Sequence, residues 1–299
     1  MNDPSTVLDV EVSVVNHDGG DLTRACLMTL PAACEGLRWH ATVVDNASVD
    51  GSADRLAGQF PDVTLMRNRD RHGFGANQNQ VIAPVVESGS ARYVLVLNND
   101  TQLAEGCVAA LVRHADDNPA LGAVGPLTFN TDGSRQPSSF RFPSLAKAVL
   151  ADARPKHAAL GCTETDRGHL WLGGACLLLR ADALRTVGPF DTRFFLFFED
   201  IDLAHRLWAA GWESAVCPEA SIVHHNHQTV TRDELHLAMG RQVRRSYYLY
   251  VEKYHGPISA HGVAALGRLA LLARAVKAGV AGRVFRDRAT TAKAAHLLA

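Results

Sequence analysis

The chain has 299 residues, 47% of them hydrophobic and 20% charged, so it can bury a full core as one large domain or as one domain with an appendage. Its net charge of −1 is unevenly spread: residues 240–299 hold 11 Lys and Arg against Glu252 and Asp287, and the rest carries 19 basic against 29 acidic residues. Six cysteines, Cys26, Cys34, Cys107, Cys162, Cys176 and Cys217, form no CxxC pair and no zinc-like spacing, which argues against a disulfide-built secreted protein and for free, mostly buried thiols.

The opening MNDPSTVLDVEV lacks the basic start and apolar run of a signal peptide, and no stretch holds the ~18 uninterrupted apolar residues of a spanning helix. The expected location is cytoplasmic, or peripheral on the inner face of the cell membrane. Val10 to Val15 is a β-branched run ending at the polar cluster Asn16-His17-Asp18-Gly19-Gly20, and an amphipathic helix is predicted from Leu22 to Ala33. The pattern recurs as His40–Asp45 before a helix from about Ser52, Val63–Met66 before one from about Gly75, and Tyr93–Asn98 before one from about Ala104. Four such units imply an α/β fold with a mostly parallel central sheet flanked by helices, and ligands gather at the carboxyl ends of such strands.

Polar residues stand at those ends, Asn16 at the first. At the second, Asp45 and Asn46 emerge before a helix, and Asp45 there can accept from a base N–H or ribose hydroxyls. An Asx-turn with helix capping by Ser48 or Asp50 explains Asn46 to Asp50 equally well. In Arg71–Asn79, Gly73 and Gly75 let backbone approach a ligand, with Asn77 in the first helical turn, although the full GxGxxG pattern is missing. The apolar run Tyr93–Leu97 reads as a strand buried on both faces, tipped by Asn98, Asn99 and Asp100. An acid at that tip can hold Mg²⁺ or Mn²⁺ together with a diphosphate, since these ions prefer oxygen and need few protein carboxylates; capping of the next helix is the alternative.

Residues 131–168 hold three of the 12 prolines and no clear periodicity, as a functional loop would. Arg135, Arg141 and Arg154 lie in it, suited to an acceptor's phosphates or to plain solvation. Trp171-Leu172-Gly173-Gly174 then interrupts an apolar strand with paired glycines, for which a closely approaching ligand or backbone is the better explanation. From Gly188 to Trp212 the acids Glu199, Asp200 and Asp202 follow five aromatic residues, and Ile201, Leu203, Leu207 and Trp208 fall at near-helical spacing. A helix from Glu199 to Ala210 with the acids in its first turn is predicted, their bland role being capping and dipole complementation.

The ordered motifs VVDNASVDGS, GFGANQN, LVLNNDT, WLGGACLLLR, GPFDTRFFLFFEDIDLAHRLWAAGW and VHHNHQT resemble the inverting glycosyltransferases of the GT-A fold, in the branch that includes bacterial rhamnosyltransferases. The resemblance spans about residues 8–230 and implies a nucleotide-sugar donor, dTDP-rhamnose first and a UDP-sugar second, and a glycan or polyprenyl-diphosphate-linked acceptor in cell-envelope synthesis. It implies Asp200 as the base that takes the acceptor's proton, with Glu199 and Asp202 orienting the acceptor or the helix. Trp171, Gly173 and Gly174 would lie beside diphosphate and acceptor. The family's Asp-x-Asp motif is Asn98-Asn99-Asp100 here, leaving Asp100 as the metal ligand and Asn98 near ribose or phosphate. A histidine completes the metal shell in such enzymes; His224 is favoured over His225 and His227.

The domains expected are residues 1–230, with a nucleotide-binding half 1–105 and an acceptor half 106–230, then a basic helical extension, 231–299. Within it a helix from about Gly262 to Arg286 groups Leu266, Leu269, Ala273, Val276, Val280 and Val284 on one arc, flanked by Arg268, Arg274, Lys277, Arg283 and Arg286. That pattern suits a helix lying on an anionic bilayer; packing on its own domain or on a second subunit, as in a homodimer, is the alternative. Nucleic acid is not expected, because no recognised binding motif accompanies the charge. Two other classes compete: a nucleotide-sugar-binding protein without turnover, and a glycoside hydrolase, for which adjacent acids do not by themselves supply the ~5–9 Å separation that cleavage needs.

Overall fold

The computed structural model describes residues 7–142, 167–168, 170–225 and 233–285. They fall into two compact units, one reaching to Phe142 and again from Arg167 to Leu237, the other beginning at Ala238. The first is built on a ten-stranded sheet. Strand β1 (Leu8–Asn16) pairs in parallel with β2 (Trp39–Asp45) and β4 (Ala91–Asn98), and β3 (Thr64–Arg67) lies parallel beyond β2. Helices α1 (Gly20–Ala33), α2 (Ser52–Gln59) and α3 (Phe74–Ser88) make the crossovers, so the strand–loop–helix periodicity of this half corresponds to the observed elements.

The second half is mixed. Strand β11 (Cys176–Arg180) runs antiparallel to both β4 and β6 (Leu121–Phe129). Strand β12 (Glu213–His224) is parallel to β6 and carries the short β5 (Thr101–Leu103) antiparallel on its far side. The two apolar layers follow from strand alternation. Val10, Val12, Val14, Leu95 and Leu97 face α1 and α4 (Cys107–Asp117). Val94 and Val96 face the other way, onto a cluster with Ile82, Val85, Leu184, Leu203 and Leu207, carried by α3, α5 (Ala181–Val187) and α6 (Glu199–Ala209). A strand covered on both faces has no polar side to alternate with, which is why Tyr93–Leu97 is an unbroken apolar run.

Three elements differ from the sequence expectation. The strand expected over Ser221–Val223 is the end of a 12-residue strand. Helix α4 starts at Cys107 because Thr101–Leu103 is drawn into the sheet. Helix α7 (Asp233–Phe285) begins well before Gly262 and is broken at Gly256, whose φ of 81° and ψ of 165° no L side chain adopts easily. Pro257 follows, lacking the N–H and opposing a continuous helix.

The segment 131–168 includes the two-residue strands β7 (Arg135–Gln136), β8 (Ser139–Phe140) and β9 (Arg167–Gly168); β8 pairs with β10 (Trp171–Leu172). Arg154 and His227 lie outside the described residues, as do the side chains of the expected apolar arc from Ala273 onward. Leu266 and Leu269 of that arc are exposed. Among the described residues no helix is long and apolar enough to cross a membrane. Cys26, Cys34, Cys107, Cys176 and Cys217 are free and buried.

Candidate active site

The parallel register brings the strand tips together, with Asn16 opposite Asp45 and Val15 opposite Asn98. Asn16 is fully buried, and its amide donates to Asp45 Oδ1 (2.8 Å), Ser48 Oγ (3.1 Å) and Ser52 Oγ (2.9 Å) while its Oδ1 accepts from Thr23. It is a brace that fixes the Asp45 carboxylate, whose Oδ2 also accepts from the Ser48 N–H at 3.2 Å. Asn46 pairs with the backbone of His72 in both directions, and Asn77 donates to the carbonyls of His72 and Gly73 and accepts from Asn68. The amides of Asn16, Asn46 and Asn77 are therefore engaged by protein groups in this structure.

Gly73 and Gly75 are explained the same way. A Cβ at Gly73 would lie 2.4 Å from the Phe195 carbonyl oxygen, and one at Gly75 would lie 2.8 Å from Phe190 Cβ. The close approach they permit is to the chain's own aromatic segment. Asn98 differs, since its side chain makes no hydrogen bond to the described residues although its backbone N–H donates to the Ala175 carbonyl at 2.9 Å.

Beyond it, Asp100 Oδ1 lies 3.3 Å from His224 Nε2, both side chains being 15% exposed. Burial pushes the Asp100 carboxyl up, but the hydrogen bond and charge of His224, with His225 nearby, outweigh it and hold the group below its ordinary value. His225 donates its backbone N–H to the Asp100 carbonyl, and its own Nε2 is buried without a hydrogen-bond partner among the described residues. The Asp100 carboxylate and the His224 imidazole form a two-ligand oxygen and nitrogen pair, of the kind that a divalent cation sharing its shell with water and a diphosphate can use. Gln136, which sequence reasoning passed over, accepts at its Oε1 from a protonated His224 Nδ1 at 3.2 Å and donates from its Nε2 to the His224 carbonyl at 2.9 Å. It fixes the ring so that Nε2 faces Asp100, the kind of support that metal-binding histidines use.

Helix α6 carries Glu199, Asp200 and Asp202 in its first turn. Phe197 and Phe198, just before it, both have positive φ (66° and 70°), a costly conformation for bulky residues that survives only where neighbours impose it. Three clasps do so. Asn79 donates to the Phe190 carbonyl (2.8 Å) and accepts its N–H (3.0 Å), and the Phe74 N–H donates to the Phe195 carbonyl (2.8 Å). The Arg206 guanidinium donates to the carbonyls of Val187, Gly188 and Pro189 and to Asp202, which is wholly buried. Asp202 thus acts on the turn through Arg206. Phe194 and Phe198 are core, Phe195 is exposed and Phe197 half-buried.

Asp200, next to the buried Glu199, accepts from the Ile201 N–H at 2.8 Å and lies against Gly174, where a Cβ would sit 3.6 Å from its Oδ2. Trp171 is buried, stacked on Phe140 at 4.4 Å between ring centroids, and forms the wall behind the glycines. From Asn98 through Ala175 and Gly174 to Asp200 the site is continuous across one turn.

A sheet of this topology, with an acid, amides and a histidine at its strand tips and a helix of acids facing them, defines a glycosyltransferase of the GT-A fold. It aligns with the crystal structure of GalNAc-T7 with UDP, GalNAc and Mn²⁺ at a TM-score of 0.55, 12% identity, covering 84% of this chain and 51% of that one. With the mannosyltransferase PcManGT from Pyrobaculum calidifontis, solved with GDP-Man and Mn²⁺, the TM-score is 0.53 at 16% identity, covering 99% and 86%. The chain belongs to Glycosyl transferase family 2, whose profile matches residues 12–168, while that of Glycosyl transferase family group 2 matches residues 93–281. It is 35% identical over 231 residues, 71% of its length and 74% of the relative's, to the N-acetylglucosaminyl-diphospho-decaprenol L-rhamnosyltransferase of Mycobacterium tuberculosis. Over 169 residues, 52% of this chain and 62% of the relative, it is 25% identical to the rhamnosyltransferase WbbL of Escherichia coli K12.

Proposed function

We propose that this chain is an inverting glycosyltransferase that moves rhamnose from dTDP-rhamnose to a hydroxyl of a glycan carried on polyprenyl diphosphate, at the cytoplasmic face of the membrane. The observation that carries the reaction type is the Asp200 carboxylate against Gly174, one turn from Asn98, whose backbone N–H is held by the Ala175 carbonyl. Inversion in one displacement needs a base on the face opposite the leaving group and within hydrogen-bond reach of the attacking hydroxyl. Asp200 takes the acceptor's proton at its carboxylate while the sugar's bond to the diphosphate breaks. The fixed carboxylate of Asp45 receives the base or ribose, and Asn98 the ribose or phosphate. Asp100 and His224, with His225 beside them, would hold Mg²⁺ or Mn²⁺, whose charge offsets that of the departing diphosphate. The sugar and the lipid-linked acceptor rest on the 35% identity to the mycobacterial enzyme.

The test is Asp200→Asn. It is expected to bind donor as the parent does and to transfer ~10²–10⁴-fold more slowly, the usual worth of a general base; near-parent transfer removes Asp200 from the role. A thermal-shift panel of nucleotide sugars checks the donor, since specific binding stabilises the fold by mass action. Stabilisation by a UDP-sugar and not by dTDP-rhamnose would sink the rhamnose assignment.

A further inference from the structure

Sequence spacing shows no metal-binding pattern among the cysteines, yet the fold assembles one away from the strand tips. On β12, Cys217 and Glu219 fall where the strand's register against β6 shifts between Cys217 and Ser221, and this irregularity leaves the two side chains together on one face. Helix α4 packs on that face and brings His114 from its last turn. One donor atom from each of His114, Cys217 and Glu219 lies within 4.8 Å of the other two. The Cys217 thiol donates to Glu219 Oε2 at 3.3 Å, and its sulfur is 3.7 Å from the Ala110 carbonyl.

We propose that His114, Cys217 and Glu219 form a binding site for zinc or a similar thiolate-seeking divalent ion, separate from the strand-tip site and completed by water. A thiolate, an imidazole and a carboxylate are a set that zinc accepts in three-ligand sites. Tetrahedral ligands at zinc stand roughly 3.3–3.8 Å apart, so the three side chains need to close by about 1 Å. His114 is half-buried and Glu219 exposed, which leaves the site open to an entering ion. Arg113 lies within electrostatic reach of Glu219, disfavouring a hard cation held by charge alone and leaving the choice to sulfur and nitrogen. Binding exchanges the thiol proton for the metal: the S–H bond breaks, the S–metal bond forms, and the proton leaves to solvent, because metal ligands must be deprotonated. The bound ion would tie α4 to β12, the strand that carries His224.

Cobalt(II) is the probe, added to the chelator-treated full-length protein. A thiolate-to-cobalt charge-transfer band in the near ultraviolet is expected, displaced by zinc, with zinc also raising the melting temperature. Cys217→Ser should abolish the band, whereas Cys162→Ser and Asp100→Asn should keep it, which separates this site from the strand-tip donors. His114→Ala keeps the thiol and should weaken cobalt binding at least tenfold, so the idea remains testable if Cys217→Ser folds poorly. Absence of the band, its survival in Cys217→Ser, or unchanged affinity in His114→Ala would each overturn the proposal.

Discussion

Asn79 touches none of the reacting groups, yet its pair of hydrogen bonds to Phe190 fixes where the segment leading to Asp200 begins. Asn79→Ala leaves the Phe190 N–H and C=O without these partners and is expected to cost about 1–3 kcal/mol, read as a drop in melting temperature; an unchanged melt would show that water replaces the pair freely. The glycines separate into two kinds. Gly73→Ala forces a methyl to within 2.4 Å of the Phe195 oxygen and should lose about 1–3 kcal/mol or more through overpacking. Gly174→Ala meets only ordinary contact, 3.6 Å from Asp200, so it should melt like the parent while transfer collapses if acceptor occupies that space. Parent-like transfer would show the space is unused. Nothing in the sequence distinguishes these glycines, because the partner of Gly73 lies 122 positions away and local spacing carries no record of it. The same holds for Asn16 and Asn46: the sequence marks them as polar strand tips, but whether an amide braces its neighbours or faces a ligand depends on which strands pair.

At the level of elements, the apolar strands and the helix of acids were legible because each has its own period, 2 or 3.6. What periodicity missed was junctions. β5 is only three residues long and is held by β12 from the other end of the domain, and α7 is two helices whose junction falls at a glycine suited to its dihedral angles. Gly256→Ala places a methyl on a backbone at φ 81°, ψ 165° and should destabilise the protein by about 1–3 kcal/mol. Replacing Pro257 by Ala as well removes the obstacle to a continuous helix, so the double variant should recover stability and gain helical circular dichroism. A double variant no more stable than the single one would show that the break is imposed by packing.

For the whole molecule, the charge division recorded in composition predicts a salt-sensitive association of the basic extension with anionic vesicles, weakening as ionic strength rises. Deleting residues 262–299 is expected to release the protein from such vesicles in a sedimentation assay; unchanged binding would exclude that stretch as the anchor. The antiparallel β11 has a different consequence, one of timing. The strands β1 to β4 are contiguous in the chain and pair among themselves, whereas β11 and β12 arrive from positions beyond 175 to close the sheet. On the ribosome, where domains form from the amino end, the donor-facing half can assemble long before His224 and Asp200 have been synthesised. An unfinished or prematurely released chain therefore lacks both Asp200, the base proposed above, and His224, the proposed metal ligand. It can neither waste activated sugar nor mark the wrong acceptor.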